Sequence, residues 1–244
     1  MSWIAVLLIG IGVTDLVQSV RPVRTLPECV GALTAVLLGL VAGLTAIGDL
    51  VALVVIAAVV VLWGQTVTRG FAGRRPALPL VVAGVAVGFG VVVSSLAGPV
   101  SGLWGVWVQG VSLPVLSDLG PERALLLLGL VLIQLSTGNV VVRLVLTVTR
   151  TVNPARHGGP RDPELELKGG RLLGPMERLV ILGLGLAGHL TAASIVIAAK
   201  GLLRFPELSS DRGQQRIHLL TEYFLVGSFV SWLLALSSLV LLVP

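Results

Sequence analysis

Very little of this sequence can cross-link, and very little of it is charged. Among 244 residues there is one cysteine (Cys29), three histidines and one tyrosine, and 12 % are Asp, Glu, Lys or Arg, where soluble domains carry about a quarter. A lone cysteine with no CxxC neighbour excludes an intrachain disulfide framework and a cysteine metal cluster. The chain also lacks HExxH, a Walker loop, GxSxG and any paired His and carboxylate spacing that suits a metal, so no catalytic motif is present and no cofactor is expected. The string "GVAVGFG" at 84–90 has no strand ahead of it and lies within an apolar run, which excludes a dinucleotide fingerprint.

What the chain has instead is apolar length. Hydrophobic residues make up 55 % of it and the mean hydropathy is +1.00, which marks an integral membrane protein with the lipid bilayer as its solvent. Apolar runs fall at about 3–20, 29–48, 50–67, 78–96, 124–148, 179–199 and 219–243. Lipid offers the backbone no hydrogen-bond partner, and the runs lack the alternation of barrel strands, so each is expected to be helical. The expected fold is all-α: a polytopic transmembrane helix bundle of about seven crossings forming one integral membrane domain over 1–244. The uncharged stretch 99–117, with Trp104, Trp107 and Pro114, is short for a further crossing and reads as an interfacial or re-entrant segment. The first run has no basic region before it and Asp15 interrupts it, so it reads as a retained membrane segment and not a cleaved signal. Asp49, in "IGDL" between the second and third runs, is expected at a hairpin tip near one surface.

The net charge is +5 and the pI about 10.6. In a soluble protein that would suggest nucleic acid. Here the arginines collect between apolar runs, where they read as topology signals and contacts for anionic lipids, with no nucleic-acid partner. Arg21 and Arg24 follow the first run, Arg69, Arg74 and Arg75 the third, and Arg150, Arg156, Arg161, Lys168 and Arg171 the fifth. These loops are expected to be cytoplasmic and the amino terminus outside, with 150–174 a polar cytoplasmic loop. One loop breaks the alternation: Lys200, Arg204, Arg212 and Arg216 follow the sixth run. Either 179–199 folds back as a re-entrant pair around "GLGLAGH", or these cations sit outside. At ~1.5 Å per residue a straight helix would hold Arg178 and Lys200 about 33 Å apart, close to the roughly 30 Å of bilayer hydrocarbon, so a full crossing is the expectation.

Ionisable residues within such runs are candidates for function, because each costs at least ~2.5 kcal/mol at the bilayer centre. Asp15 lies within the first run with Gln18 one turn on. In "LIQLSTGNVVVRLVLTVTR", Asn139 and Arg143 are four apart and lie one turn from each other. Glu177 and Arg178 are adjacent and point about 100° apart, so each must look elsewhere. Arg143 is the natural partner for Glu177, and Glu222 complements Lys200 and Arg204, which share a face and could meet an anion or lipid phosphate. His189 lies midway in the sixth run beside Thr191 and Ser194, as a helix-packing group or a proton relay.

"TGNVVVRLVL", "GGRLLGPMERLVILGL", "AAKGLLRFPEL" and "TEYFLVGSF", in that order, resemble the carboxy-terminal half of an uncharacterised family of small bacterial multi-pass membrane proteins, a domain of unknown function. "VTDLVQS" weakly resembles its aspartate and glutamine element, and 29–122 departs from it. The resemblance implies a bacterial cytoplasmic (inner) membrane location and little about function, since the family has no activity to carry across. It stresses Asp15, Asn139, Arg143, Glu177, Arg178, Lys200, Arg204 and Glu222, which solvation had already selected. Three functions are compatible with these residues. The chain could bind or translocate a small ion or polar solute, the leading reading. It could be a non-catalytic membrane subunit or scaffold docking a membrane or cytoplasmic protein partner or forming a homo-oligomer. It could be an enzyme acting on a lipid-linked phosphate.

Overall fold

Backbone hydrogen bonds that lipid cannot satisfy are closed within helices, and no strand occurs among the described residues. The computed structural model describes the backbone apart from residues 22, 24, 74, 112–113, 152–169, 210–213 and 243–244. Most of the polar loop expected at 150–174 therefore lies outside the described residues, as do the side chains of 203–209, Arg204 among them. The helices are α1 (Ser2–Val20), α2 (Leu26–Val41), α3 (Ile47–Phe71), α4 (Leu78–Val92), α5 (Gly102–Gly110), α6 (Pro114–Leu132), α7 (Gly138–Val148), α8 (Gly170–Leu186), α9 (Leu190–Ser209) and α10 (Gln214–Leu242), with a π turn at Ile133–Thr137.

Four stretches are long and apolar enough to cross a membrane: Ser2–Val20, Ile47–Phe71, Leu119–Val148 and Thr221–Leu242. Leu26–Val41, Leu78–Val92 and Leu190–Leu202 are shorter apolar helices. The all-helical membrane class therefore stands. Helix α5, the core of the uncharged 99–117 stretch, has nine residues and is about 14 Å long, less than half the hydrocarbon thickness.

The chain divides into two compact units, 1–70 with 78–137, and 71–77 with 138–244. In the first, α1 is apolar on every side and is buried accordingly: Ile4, Ala5, Val6, Ile9 and Ile11 are all in the core. It packs against α2 where Gly10 faces Gly31. A Cβ on Gly31 would stand 2.6 Å from the Gly10 carbonyl oxygen, so only glycine permits this approach. Asp49 lies in the first turn of α3, just past the short α2–α3 connection, and its side chain is buried. Its Oδ1 accepts from Trp3 Nε1 at 2.8 Å and from the Gly98 amide at 3.1 Å, which ties the starts of α1 and α3 to the α4–α5 connection.

The second unit has a core of Ile181, Ala193 and Ala235, with Leu184, Ile197 and Trp232 packed against it, contributed by α8, α9 and α10. Here the expected continuous helix over 179–199 is corrected. Helix α8 ends at Leu186, and Gly188 takes φ +77°, a conformation that L side chains rarely adopt. The Gly188 amide donates to the Gly185 carbonyl (3.1 Å) and the His189 amide to the Leu184 carbonyl (2.8 Å), the paired bonds of a Schellman helix end. Helix α9 then returns along α8, and Lys200 reaches Glu177. A straight helix would hold those two groups more than about 30 Å apart, so the segment is a folded-back helical hairpin. The physical reason is the glycine-terminated turn, together with an ion pair that only a return path can close.

Candidate functional site

The polar side chains of the second unit assemble around the first half of α8. Glu177 and Arg178 do point apart, and each finds partners on different helices. The Arg178 guanidinium is 1 % exposed. Its Nη2 donates to Asn139 Oδ1 on α7 at 2.9 Å, and its Nη1 donates to Ser231 Oγ on α10 at 3.1 Å. Room for it comes from Gly138, the first residue of α7, where a Cβ would fall 2.6 Å from the guanidinium carbon. A side chain of any size at that position would expel the arginine.

Glu177 faces the other way. Its Oε2 pairs with Lys200 Nζ on α9, and its Oε1 accepts from Trp232 Nε1 on α10 at 2.8 Å. Lys200 also stands 5.9 Å from the centroid of the Phe224 ring, within cation–π range. The carboxylate thus has an ion-pair partner and an indole donor, and the ammonium has a carboxylate and a ring face. Three helices must be in place before either charge is satisfied.

The remaining expected residues are distributed more widely. Arg143 is exposed and stacks on Phe71, 5.2 Å from the ring centroid. Glu222 is exposed and accepts from Thr151 Oγ1 at 3.3 Å. The pairings expected from sequence, Glu177 with Arg143 and Lys200 with Glu222, give way to Glu177 with Lys200. The cause is the hairpin, which brings together residues that a straight helix would separate. His189 is exposed at the hairpin tip, where its carbonyl accepts from the Ala193 amide and starts α9. Arg204 lies on α9 with its side chain outside the described set. Asp15 belongs to the first unit, where both carboxylate oxygens accept from Trp63 Nε1 at 3.1 and 3.2 Å.

Ser231, Trp232 and Gly138 did not stand out in the sequence. Ser228 and Ser231, three apart in the otherwise apolar run "VGSFVSW", are one signal that was available, since buried hydroxyls in a membrane helix mark a contact face. Among the described residues no group of three His, Cys, Asp or Glu converges, so a transition-metal centre has no ligand set there. Comparison with protein-family models, with curated proteins and with solved structures found no match. The reading of this site therefore rests on its geometry.

Proposed function

We propose that the protein binds a small ion or polar solute and moves it across the bacterial inner membrane, with Asn139, Glu177, Arg178, Lys200, Ser231 and Trp232 of the second unit as the binding site. The observation that carries this reading is the burial of Arg178. An arginine that only anchors a helix extends its head to the headgroups. This one is 1 % exposed and is held by neutral acceptors next to a carboxylate–ammonium pair. Ions are retained in apolar helices at a cost, and in membrane proteins they mark solute and ion pathways. Broken helices at membrane depth are the usual walls of such sites, because a break is tolerated only where protein or a cavity covers it.

The hairpin also supports a simpler topology. If 179–199 returns to its own side, the basic residues before it (Arg150 to Arg171) and after it (Lys200 to Arg216) share the cytoplasmic face, and every basic loop obeys the positive-inside rule. The chain then makes six crossings, from seven apolar runs less the folded-back one, with both termini outside. Single cysteines at Ser209 and Gly158, in a chain with Cys29→Ala, test this: labelling from one side supports the hairpin, and labelling from opposite sides rejects it.

The transport reading is tested with the full chain in liposomes, using labelled chloride, phosphate and glutamate in turn. Uptake above protein-free liposomes that falls at least about tenfold in both Glu177→Gln and Lys200→Met, the loss typical of a missing buried charge partner, supports it. Uptake that is equal in both variants and the parent argues against this site.

A further inference from the structure

The first unit holds a second polar layer that the solute site does not use. Asp15 on α1 is 5 % exposed and Glu28 on α2 is 7 % exposed. Consecutive residues of α3 seat them: Trp63 donates its indole N–H to both Asp15 oxygens, and the Glu28 stem lies on Gly64, where a Cβ would come within 3.1 Å of its carboxyl carbon. Against α1 from another side, the helical path of α6 widens into the π turn Ile133–Thr137. Such turns are rare and are frequent at functional sites. The turn is fastened to α1 by Ser136 Oγ, which donates to the Gly12 carbonyl at 2.8 Å.

In this layer several of the hydroxyl donors are already committed to backbone carbonyls, and one indole serves two carboxylate oxygens. The Thr14 hydroxyl is used on the Gly10 carbonyl (2.8 Å) and the Thr66 hydroxyl on the Trp63 carbonyl (2.9 Å). The Ser136 hydroxyl is used on Gly12, and the Trp63 N–H is shared between two acceptors. Thr137, 4 % exposed, lies beside Asp15 on the π turn that packs against α1, and its Oγ1 is buried with no geometric hydrogen-bond partner. Glu28 Oε2 is buried and has no hydrogen-bond partner. A buried oxygen left without a donor costs about 1–3 kcal/mol, and more if it is charged. Surplus buried oxygens around a carboxylate are what a hard cation requires.

We propose that this layer binds a small monovalent cation of the sodium class, with the Asp15 carboxylate and the Thr137 hydroxyl as direct ligands and Glu28 deepening the negative potential from α2. A single positive charge matches Asp15, the one carboxylate placed as a direct ligand. The donors are hard oxygens, which disfavours soft metals, and no third His, Cys, Asp or Glu joins the group among the described residues, which disfavours a transition ion. The site is built within the first unit and goes beyond the solute reading, and it stands or falls without it.

The test is thermal unfolding of the full chain in lipid nanodiscs at fixed pH and ionic strength, with NaCl, LiCl or KCl replacing choline chloride in steps. A ligand that binds the folded state raises the midpoint in a saturable manner. The expected result is saturable stabilisation as Na+ replaces choline, exceeding that by K+. Thr137→Val and Asp15→Asn raise the half-saturating Na+ concentration at least about tenfold, the scale on which a lost partner weakens a metal site. Glu177→Gln, in the other unit, leaves it unchanged. Should Asp15→Asn fail to fold, Thr137→Val decides. No shift as Na+ replaces choline, a response to pH with no preference among cations, or an unaltered Na+ midpoint in Thr137→Val overturns the proposal.

Discussion

The two units of this chain face the same difficulty, ionised groups among apolar helices, and meet it differently. In the first, the buried charges are acids held by neutral donors: Asp15 by the Trp63 indole, and Asp49 by the Trp3 indole and the Gly98 amide. In the second, opposite charges meet: Glu177 pairs with Lys200, while the Trp232 indole takes the other carboxylate oxygen. The shared element is tryptophan. Three of the five tryptophans in the chain direct an indole N–H at a carboxylate, a use suited to a side chain with a large apolar body and one polar edge. The difference lies in the residual charge. The first unit leaves an acceptor-rich layer around two buried acids. The second leaves a cross-braced set of both signs.

Substitutions can break this contrast, beginning with the largest effect. Arg178→Ala strands Asn139 and Ser231 around an empty buried site and should cost about 3–5 kcal/mol, from two lost hydrogen bonds to a charged group at roughly 1.5–3 kcal/mol each. Denaturant titration in detergent measures it, and a loss below about 1 kcal/mol, the scale of an exposed pair, would mean that Arg178 is solvated in solution. In the first unit, Gly31→Leu forces α1 from α2 and should cost about 3 kcal/mol, the upper part of the range for overpacking. A lowered unfolding midpoint checks it. Next come the indoles. Trp63→Phe leaves the Asp15 carboxylate without its donor and should destabilise by about 2 kcal/mol, whereas Trp232→Phe leaves Glu177 its lysine and should cost about 1 kcal/mol. Equal losses would erase the distinction drawn between the units. Smallest of all, Glu222→Gln alters an exposed group on Thr151 and should change stability by less than about 0.5 kcal/mol.

Much of the class was legible in the residues. The apolar runs placed most helices, and the cost of burying polar and charged groups in lipid selected Asp15, Asn139, Glu177, Arg178 and Lys200. The partners were less legible. Glu177 and Lys200 are 23 positions apart, and a straight-helix reading assigns them to opposite faces of the membrane. The three glycines in "GLGLAGH" allowed either a close-packed helix or a break, since glycine lowers the cost of both. Glu28 and Trp63 escaped notice for another reason. Near the start of α2, Glu28 looks like an ordinary residue at a helix end, and nothing local indicates that α3 closes over it.

Composition alone determined that this chain is helical and resides in lipid, because 55 % hydrophobic residues in long runs with 12 % charge cannot be reconciled with water or with barrel strands. It also determined which residues are misplaced in that solvent, since the cost of burying a charge depends chiefly on the charge and the length of the run around it. Only the tertiary structure decided which misplaced residues meet. Pairing depends on one left-handed glycine at 188 and on side-chain contacts among helices distant in sequence, and neither the direction of a turn nor a contact between remote segments is set by local residue pattern.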